Sequence, residues 1–324
     1  MTFHRRAALA VLAGSLMLAA SGPALAQGGK STRIVVSFPP GGPVDFVARA
    51  LGEQLGKELN QTVIVDNKGG ANGAIGASEV MRAPADGSTI WITSVGAAAV
   101  NPSLYEKLPY DMQRDFAPVS LVANNVELLV VNPADPARTA AEFVANARKA
   151  KPPIAMGSSG IGSIPHLAIE QLVDAGGAPI THVPYRGAAP AITDVMGGQV
   201  AGFFGDIPGL IGHVKGGKLK PLGVAATRRH PALPDVPTLA EQGLPGVDTN
   251  NWYALFVPAK TPPATIDALN KAVRKALSDP GLHERLLSTG AEPAPSTPQE
   301  LAALLKADTA KWAKLIRDKK IKVE

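Results

Sequence analysis

The sequence predicts an α/β protein of two domains. Short runs of β-branched residues alternate with longer amphipathic segments, which is the order expected of βα units around parallel sheets. Glycine-rich turns stand between several of these strands and the helices that follow them. Length is the third observation, because roughly 150 residues form a typical domain and the chain has 324 residues.

The first 26 residues have the anatomy of a secretory signal peptide. Arg5 and Arg6 form a basic start, residues 7–20 make an uncharged run of 14, and residues 24–26 (Ala-Leu-Ala) supply a small-x-small cleavage pattern. The alternative is a membrane anchor, which needs roughly 20 apolar residues. We therefore expect export with cleavage near Ala26, which leaves a mature chain of 298 residues.

Composition excludes several classes of function. Zero cysteines rule out disulfides, thiolate metal sites and a cysteine nucleophile. Without Arg5 and Arg6 the formal net charge falls from +5 to +3, and so mild an excess, spread along the chain, argues against nucleic-acid binding. The histidines are scattered and show no H-x-x-x-H or H-E-x-x-H spacing, so we predict no metal site and no cofactor.

The first part of the chain predicts strands that alternate with helices. Strand 33–38 leads into helix Pro43–Leu59, whose apolar residues recur along one stripe. Further elements in this part are strands at 62–66, 88–93 and 125–132 and a helix at 74–82.

The same scheme continues to the end of the chain. Predicted strands lie at 153–156, 181–184, 200–204, 219–225 and 252–257, and predicted helices at 139–150, 164–175, 188–196, 262–277, 281–288 and 298–317. Helix 262–277 begins with a proline and ends before Asp279-Pro280, as helix start and stop signals predict. No Pro/Gly/Ser spacer separates the two halves, which suggests that strands cross directly between the domains.

The most informative turn is Gly41-Gly42, between the first predicted strand and the helix that opens with Pro43. Glycines let a ligand approach the backbone, and a helix N-terminus offers unpaired N–H groups and a positive dipole end. The pattern therefore predicts anion capture at this helix start, with a plain tight turn as the alternative. It matches neither nucleotide signature, G-x-G-x-x-G or G-x-x-x-x-G-K-[ST]. Asp45 is interpreted as a carboxylate that stabilises the helix, with contact to the ligand as the alternative.

Other turns of this kind follow later strands, at 67–76, 94–96, 157–163, 185–190 and 204–208. The turn at 157–163 raises the alternative of a hydrolase with Ser159 as nucleophile and His166 as base. The elbow pattern G-x-S-x-G fails there because position 161 is isoleucine. Asp206 either binds a hydroxyl or amine of a substrate or caps the segment after Pro208.

Many short motifs, in order along the chain, make it resemble the Bug family, the periplasmic solute receptors of tripartite tricarboxylate transporters. They are FPPGGP (38–43), GAIG (73–76), ADG (85–87), NPSLY (101–105), LPYD (108–111), DFAPV (115–119), HVPYRG (182–187) and PALPDVPT (231–238). The resemblance covers essentially the whole mature chain. It implies a two-lobed periplasmic binding protein of the Venus-flytrap kind, with the ligand held in a cleft between the lobes.

With this resemblance we place the strand crossings near 121–131 and 247–257. The first lobe is then discontinuous, formed by 27–123 and 252–324, and the second lobe is 124–251. A few hinge residues at such crossings can absorb a closing motion.

The resemblance also implies the function and the site. We expect a monomeric periplasmic receptor, not an enzyme, that captures a small mono- or dicarboxylate for the membrane subunits of a transporter. A sensory module that presents its ligand to a receptor kinase remains an alternative. The candidate ligand-binding residues are Pro40, Gly41, Gly42, Pro43, Val44, Ser94, Ser158, Ser159, Gly160, Ser163, His166, Tyr185, Gly187, Ala188 and Asp206. Arg186 is expected to point outward.

Overall fold

The computed structural model of the chain describes residues 31–323. The predicted signal peptide, residues 1–26, lies outside the described residues. Within residues 31–323 the strands form one sheet of six and one sheet of five. These two sheets, with helices packed on them, confirm the predicted two-lobed α/β fold.

The first sheet takes its strands from both ends of the chain. They are β1 Ser31–Val36, β2 Thr62–Asn67, β3 Thr89–Ser94, β4 Phe116–Asn124, β10 Tyr253–Pro258 and β11 Glu292–Pro293, in the order β11-β4-β10-β3-β1-β2. β1 is parallel to β2 and β3, whereas β10 is antiparallel to β3 and β4. Ile34 and Val36 pack into one apolar cluster and Val35 into another, because successive side chains of a strand point to opposite faces.

Helices cover both faces of this sheet. One face carries α1 Pro43–Leu59, α9 Pro263–Leu277 and α10 Pro280–Ser288, and the other carries α2 Ala74–Met81 and α11 Pro298–Asp318. A π-helical turn, Gly96–Val100, runs into the short α3 Asn101–Leu104, and α4 Met112–Asp115 precedes β4. α1 begins with Pro43 and buries Val47, Leu51 and Leu55, which are the apolar stripe expected from the sequence.

The second sheet is formed by the middle of the chain. Its strands are β5 Glu127–Val131, β6 Ile154–Ser158, β7 Ile180–Pro184, β8 Gly202–Asp206 and β9 Lys220–Val224, in the order β7-β6-β8-β5-β9. β6 is parallel to β7 and β8, and β5 is antiparallel to β8 and β9. Its helices are α5 Ala140–Lys149, α6 Ile164–Gly176, α7 Ala188–Met196 and α8 Ile207–Lys215.

Two segments connect the sheets, 124–127 and 249–253. They run side by side and antiparallel, with Val126 paired to Asn250. Both segments lie inside the ranges predicted for the crossings, 121–131 and 247–257. The limits predicted for the two lobes along the chain stay predictions.

Some elements differ from the prediction. The predicted strand 125–132 is β5 and begins at Glu127, while β4, β11 and α8 were not predicted. β4 contains Pro118, which has no N–H to donate and is unusual within a strand. Its pairing with β10 is shifted in register beside Pro118, so the sheet accommodates the proline by an irregularity that the sequence pattern does not show.

Candidate functional site

The predicted turns lie at the carboxyl ends of parallel strands. β1 and β3 are parallel neighbours in the first sheet, and β6 is flanked by parallel β7 and β8 in the second. The two edges meet: a Cβ on Gly209, at the start of α8, would lie 3.8 Å from the Pro43 ring, and a Cβ on Gly162 would lie 2.1 Å from Leu104. Loops of the two lobes therefore approach each other at these edges, and the space between them is called the cleft below; open α/β sheets bind ligands at such edges.

The first wall of the cleft is the turn between β1 and α1. Gly41 has φ +82°, a conformation that favours glycine. Its N–H donates to the Asp45 carboxylate at 2.9 Å, which also accepts bonds from Arg49 (3.0 Å) and Asn67 (2.9 Å). The Asp45 carboxylate therefore stabilises this turn through its hydrogen bonds, in agreement with its interpretation as a structural carboxylate.

Charge at Asp45 is stabilised by these donors. Burial acts to raise the pKa of Asp45, but the hydrogen bonds from Arg49, the Gly41 N–H and Asn67 outweigh it and hold the pKa below its ordinary value. The residue thus stays ionised at neutral pH. Its side chain faces the turn and α1, so it orients the backbone of Gly41 and leaves the helix start to a ligand.

The N-terminus of α1 has no side-chain cap. Its N-cap residue is Gly42, in an extended conformation, and no side-chain cap is found among residues 31–323. The first N–H groups of a helix have no partner within the helix. Pro43 carries no N–H and Phe46 donates to the Gly42 carbonyl at 3.0 Å, so the N–H groups of Val44 and Asp45 are the ones left in this turn. This is the local arrangement that binds carboxylates and phosphates in proteins.

Ser94 ends β3 next to this turn. It is nearly buried, and its hydroxyl forms no hydrogen bond with another residue of the described range 31–323. Behind it, Asn101 donates to the Asn72 carbonyl (3.0 Å) and the Tyr110 hydroxyl (3.0 Å). Asn72 has φ 46° and returns a hydrogen bond to Asn101 at 2.7 Å. This network holds the segment that supports Ser94.

The loop after β6 is stabilised mainly by bonds within itself and to β7. Ser158 is fully buried; its hydroxyl accepts from the Gly160 N–H at 3.1 Å and contacts the ring of His182. Ser163 caps α6 and donates to the Gly160 carbonyl at 2.7 Å. The hydroxyls of Ser158 and Ser163 therefore stabilise the loop. Ser159 is partly exposed, and its backbone carbonyl, not its hydroxyl, accepts a hydrogen bond from the Gly187 N–H at 3.2 Å.

His166 stacks on His182, with ring centroids 3.7 Å apart and planes 8° apart. The Gly162 N–H donates to Nδ1 of His166 at 3.0 Å, so the neutral ring carries its proton on Nε2, which lies 3.7 Å from Glu170. Burial lowers the pKa of His166 to about 3, helped by the charge of His182, and burial lowers the pKa of His182 to about 4. Both rings are neutral packing elements at neutral pH.

This geometry argues against the hydrolase alternative. Neither ring nitrogen of His166 faces Ser159, because one is bonded to Gly162 and the other points to Glu170. The histidine that does touch a serine, His182, touches Ser158, and that serine is fully buried. A substrate cannot reach such a hydroxyl.

The second uncapped helix start is at α7. Gly187 is its N-cap residue, with φ +109° and no side-chain cap. Tyr185 donates to Asp194, and burial together with this bond raises the pKa of Tyr185 to about 12. Arg186 is exposed, as expected. Ala188 and the backbone of this turn thus present N–H groups on the second wall without a cationic side chain.

Asp206 ends β8 and precedes α8, but its side chain does not cap that helix. Its carboxylate accepts from Asn251 at 2.8 and 3.1 Å and from the Tyr253 hydroxyl at 3.0 Å. Glu127, fully buried on β5, lies directly opposite. Sequence reasoning missed Glu127, Asn251 and Tyr253; the one available signal was an acidic residue in the apolar run 126–131.

The predicted residues fall into two groups, one after strands of the first sheet and one after strands of the second. Residues 40–44 and Ser94 lie on the first wall, and residues 158–166, 185–188 and 206 on the second. Among residues 31–323 no cluster of His, Cys, Asp or Glu is arranged to hold a metal ion. None of the helices in this described range is both long and apolar enough to cross a membrane.

Comparisons with known proteins point to one family. The family model described as tripartite tricarboxylate transporter family receptor matches residues 47–321. The protein BugT of Bordetella pertussis is 33% identical over 287 residues, covering 88% of each chain. An R. palustris protein solved with adipate has a TM-score of 0.85 and 33% identity over 90% of this chain and 98% of its own. MatC from Rhodopseudomonas palustris, solved with bound malate, has a TM-score of 0.79 and 31% identity over 88% and 99%.

The two-lobed fold, the cleft and these matches define a solute-binding receptor of the periplasmic binding protein class. The chain belongs to the Bug family of tripartite tricarboxylate transporter receptors, which confirms the resemblance seen in the sequence. Its family and structural neighbours are receptors and not enzymes.

Proposed function

We propose that this protein is a periplasmic receptor that captures a small mono- or dicarboxylate in the cleft and delivers it to the membrane subunits of a tripartite tricarboxylate-type transporter. The observation that carries this proposal is the uncapped start of α1 at Gly42, where Pro43 lies next to Gly209 of the second lobe. An anion there completes the hydrogen bonding of the helix and meets its positive dipole end. Export with cleavage near Ala26 and a monomeric state belong to the same proposal.

Charge recognition relies on backbone dipoles. The first wall supplies the N–H groups of the α1 start and the Ser94 hydroxyl, and the second wall supplies the α7 start and the Ser159 hydroxyl. Hydrogen bonds to a charged acceptor are about twice as strong as neutral ones. Closure of the lobes strengthens them further, because exclusion of water lowers the effective dielectric around the ligand.

The predicted site residues take two roles in this proposal. Contacts come from residues 40–44, Ser94, Ser159, Gly160, Gly187 and Ala188, which offer backbone groups or unengaged hydroxyls. Ser158, Ser163, His166 and Tyr185 shape the loops through the bonds described above. Asp206 is engaged by Asn251 and Tyr253, so its part is to position α8.

Relatives support a carboxylate ligand. The R. palustris structure contains adipate and MatC contains malate, and both share the fold over about nine tenths of this chain. Both compounds are small dicarboxylates, and the walls of this cleft offer helix starts on both sides. We therefore assign the ligand to the same chemical class.

Isothermal titration of the mature protein against a panel of carboxylates, with neutral sugars as controls, tests the proposal. We expect saturable binding of at least one mono- or dicarboxylate and none of the sugars. Ser159→Ala should weaken binding, while hydrolysis of ester substrates should be absent in both proteins. If the protein binds none of the carboxylates and does bind a sugar, the proposal is overturned.

A further inference from the structure

The two crossing segments are bonded to each other by asparagines. Asn251 donates its N–H to the Asn125 carbonyl at 2.6 Å, and Asn125 returns a side-chain bond to the Asn251 carbonyl at 3.2 Å. One residue earlier on each segment, Asn250 donates to the Asn124 side chain at 2.9 Å. The crossings therefore behave as one unit, and whatever fixes this unit also fixes the relation between the lobes.

Asp206 ties the second sheet to this unit. Three hydrogen bonds reach its carboxylate from the second crossing, two from Asn251 and one from Tyr253. Burial raises the pKa of Asp206 above its ordinary value, and the hydrogen bonds from Asn251 and Tyr253 oppose that rise by stabilising the ionised form. Asp206 also stands immediately before α8, whose Gly209 lies against Pro43 of the first lobe, so its position sets the distance between the walls of the cleft.

Glu127 lies next to Asp206 on the neighbouring strand of the second sheet. The two residues are paired directly in the antiparallel ladder of β5 and β8, which places their side chains on the same face, about 5 Å apart at Cβ. Glu127 is fully buried, and neither of its oxygens accepts a hydrogen bond from the described residues 31–323. A buried carboxylate without donors beside a second carboxylate is strongly disfavoured.

Within residues 31–323, no cation is among the groups that shift the pKa of Glu127. The titratable groups that face it are Asp206 on β8 and Tyr253 on β10, both of which interact with it electrostatically. On its other side lies β9, where Ala225 donates its N–H to the Glu127 carbonyl at 2.8 Å and brings no charge. Burial, and then the charge of Asp206, raise the pKa of Glu127 well above its ordinary value of 4.5.

We propose that Glu127 is a protonated positioning residue that donates its proton to Asp206 and thereby holds the hinge, and with it the start of α8, in the geometry needed for ligand binding. The pair carries one proton and one negative charge. The proton resides on Glu127, because Asp206 already receives three donors and Glu127 receives none. This inference rests on the proposed function only in its effect on ligand affinity.

The proposal predicts a particular dependence on pH. A group whose folded pKa is raised contributes stability that is complete below its unfolded pKa and is lost as pH rises towards the folded pKa. For Glu127 this loss begins near the ordinary value of 4.5 and continues as pH rises towards the raised folded pKa. Glutamine has the same shape, donates through its amide and cannot ionise, so Glu127→Gln should escape the loss.

Glu127→Gln and Glu127→Leu of the mature protein, with malate and adipate as probes, test the proposal. We expect Glu127→Gln to bind either probe within about threefold of the wild type at pH 7, and Glu127→Leu, which lacks a donor, to bind at least about tenfold more weakly. The melting temperature of Glu127→Gln relative to the wild type should rise steadily from pH 5 to pH 9. Equal weakening by both variants, or a difference in melting temperature that does not change with pH, would overturn the proposal.

A second measurement uses the wild type alone. With ¹³C-labelled glutamate, one side-chain carboxyl resonance should remain in its protonated position at pH 7 while the others have titrated. If every glutamate titrates near its ordinary pKa, the proposal is wrong, even if Glu127→Gln fails to fold. If neither probe nor any other carboxylate binds, the proposed function fails, whereas the melting and resonance measurements still decide the state of Glu127.

Discussion

A side-chain cap installed at Gly42 should separate stability from ligand binding. The residue has φ −82° and ψ 172°, an extended conformation that any amino acid adopts. A Cβ there would meet only the Pro39 carbonyl, at 3.6 Å, which is ordinary contact. Gly42→Asp therefore fits the backbone and places a carboxylate beside the free N–H groups of α1 that the proposed ligand needs.

The expected effects have opposite signs. An acidic group at a helix N-terminus, together with the lost flexibility of glycine in the unfolded chain, should raise the free energy of unfolding by about 0.5–1 kcal/mol. The same carboxylate occupies the donors of the site and repels an anionic ligand. Loss of charge-assisted hydrogen bonds worth about 3 kcal/mol corresponds to roughly 100-fold weaker binding.

Urea unfolding and isothermal titration with malate and adipate measure the two effects on the same preparations. Gly42→Ala is the matched control, because it fills the same space without an acceptor and should bind at least about tenfold more tightly than Gly42→Asp. If Gly42→Asp binds as well as Gly42→Ala, the α1 start does not hold the ligand and the reasoning is refuted.

Three further changes have defined outcomes. Asp45→Asn should lower the free energy of unfolding at pH 7 by about 2 kcal/mol, with exposed Asp267→Asn as a neutral control. The folded pKa of Asp45 lies below its ordinary value of 3.8, so the loss of unfolding free energy in this variant should shrink once the pH falls below 3.8. A loss that stays constant with pH in urea titrations contradicts the prediction. Gly162→Ala, whose new Cβ would lie 2.1 Å from Leu104, should keep the lobes apart and enlarge the radius of gyration in small-angle scattering. Adding Leu104→Ala to this variant should restore the radius, and an unchanged radius in Gly162→Ala contradicts the prediction. His182→Gln should gain stability relative to the wild type as pH falls from 6.5 towards 4, because the folded pKa of His182 is lowered from 6.5 to about 4; parallel denaturation profiles would contradict this.

Local signals in the sequence sufficed for most elements of the fold. α1 and α7 begin and end close to their predicted limits, because proline, glycine and an apolar stripe mark a helix within a few residues of chain. β4 was not predicted, since Pro118 interrupts its pattern and its pairing partner β10 is more than a hundred residues away. Strand order in a sheet built from both ends of the chain depends on contacts of this kind, which no local pattern encodes.

The candidate site likewise has one part that local sequence signals predict and one part that they do not. The turn at Gly41 and Gly42 was found because glycine after a strand and before a helix has a direct physical meaning. The engagement of Asp206 could not be found, because its partners lie on two other segments: Glu127 on β5, and Asn251 and Tyr253 on the second crossing. Side-chain partners that meet only after folding leave no spacing to recognise.

The pattern of helix caps gives the strongest physical argument about the ligand. Asp111, Thr139, Asp279 and Thr297 cap the helices that they precede with their own side chains, as stable helices commonly require. At the cleft the N-cap positions of α1 and α7 are glycines without a cap, although a single substitution could supply one. Gly73 before α2 and Pro262 before α9 also lack a side-chain cap, so the starts of α1 and α7 are distinguished by their place after strands β1 and β7 at the cleft. Under the proposed function, the group that completes both helix starts is an acceptor, negatively charged and small enough to lie between two backbones, which is the chemistry of a carboxylate.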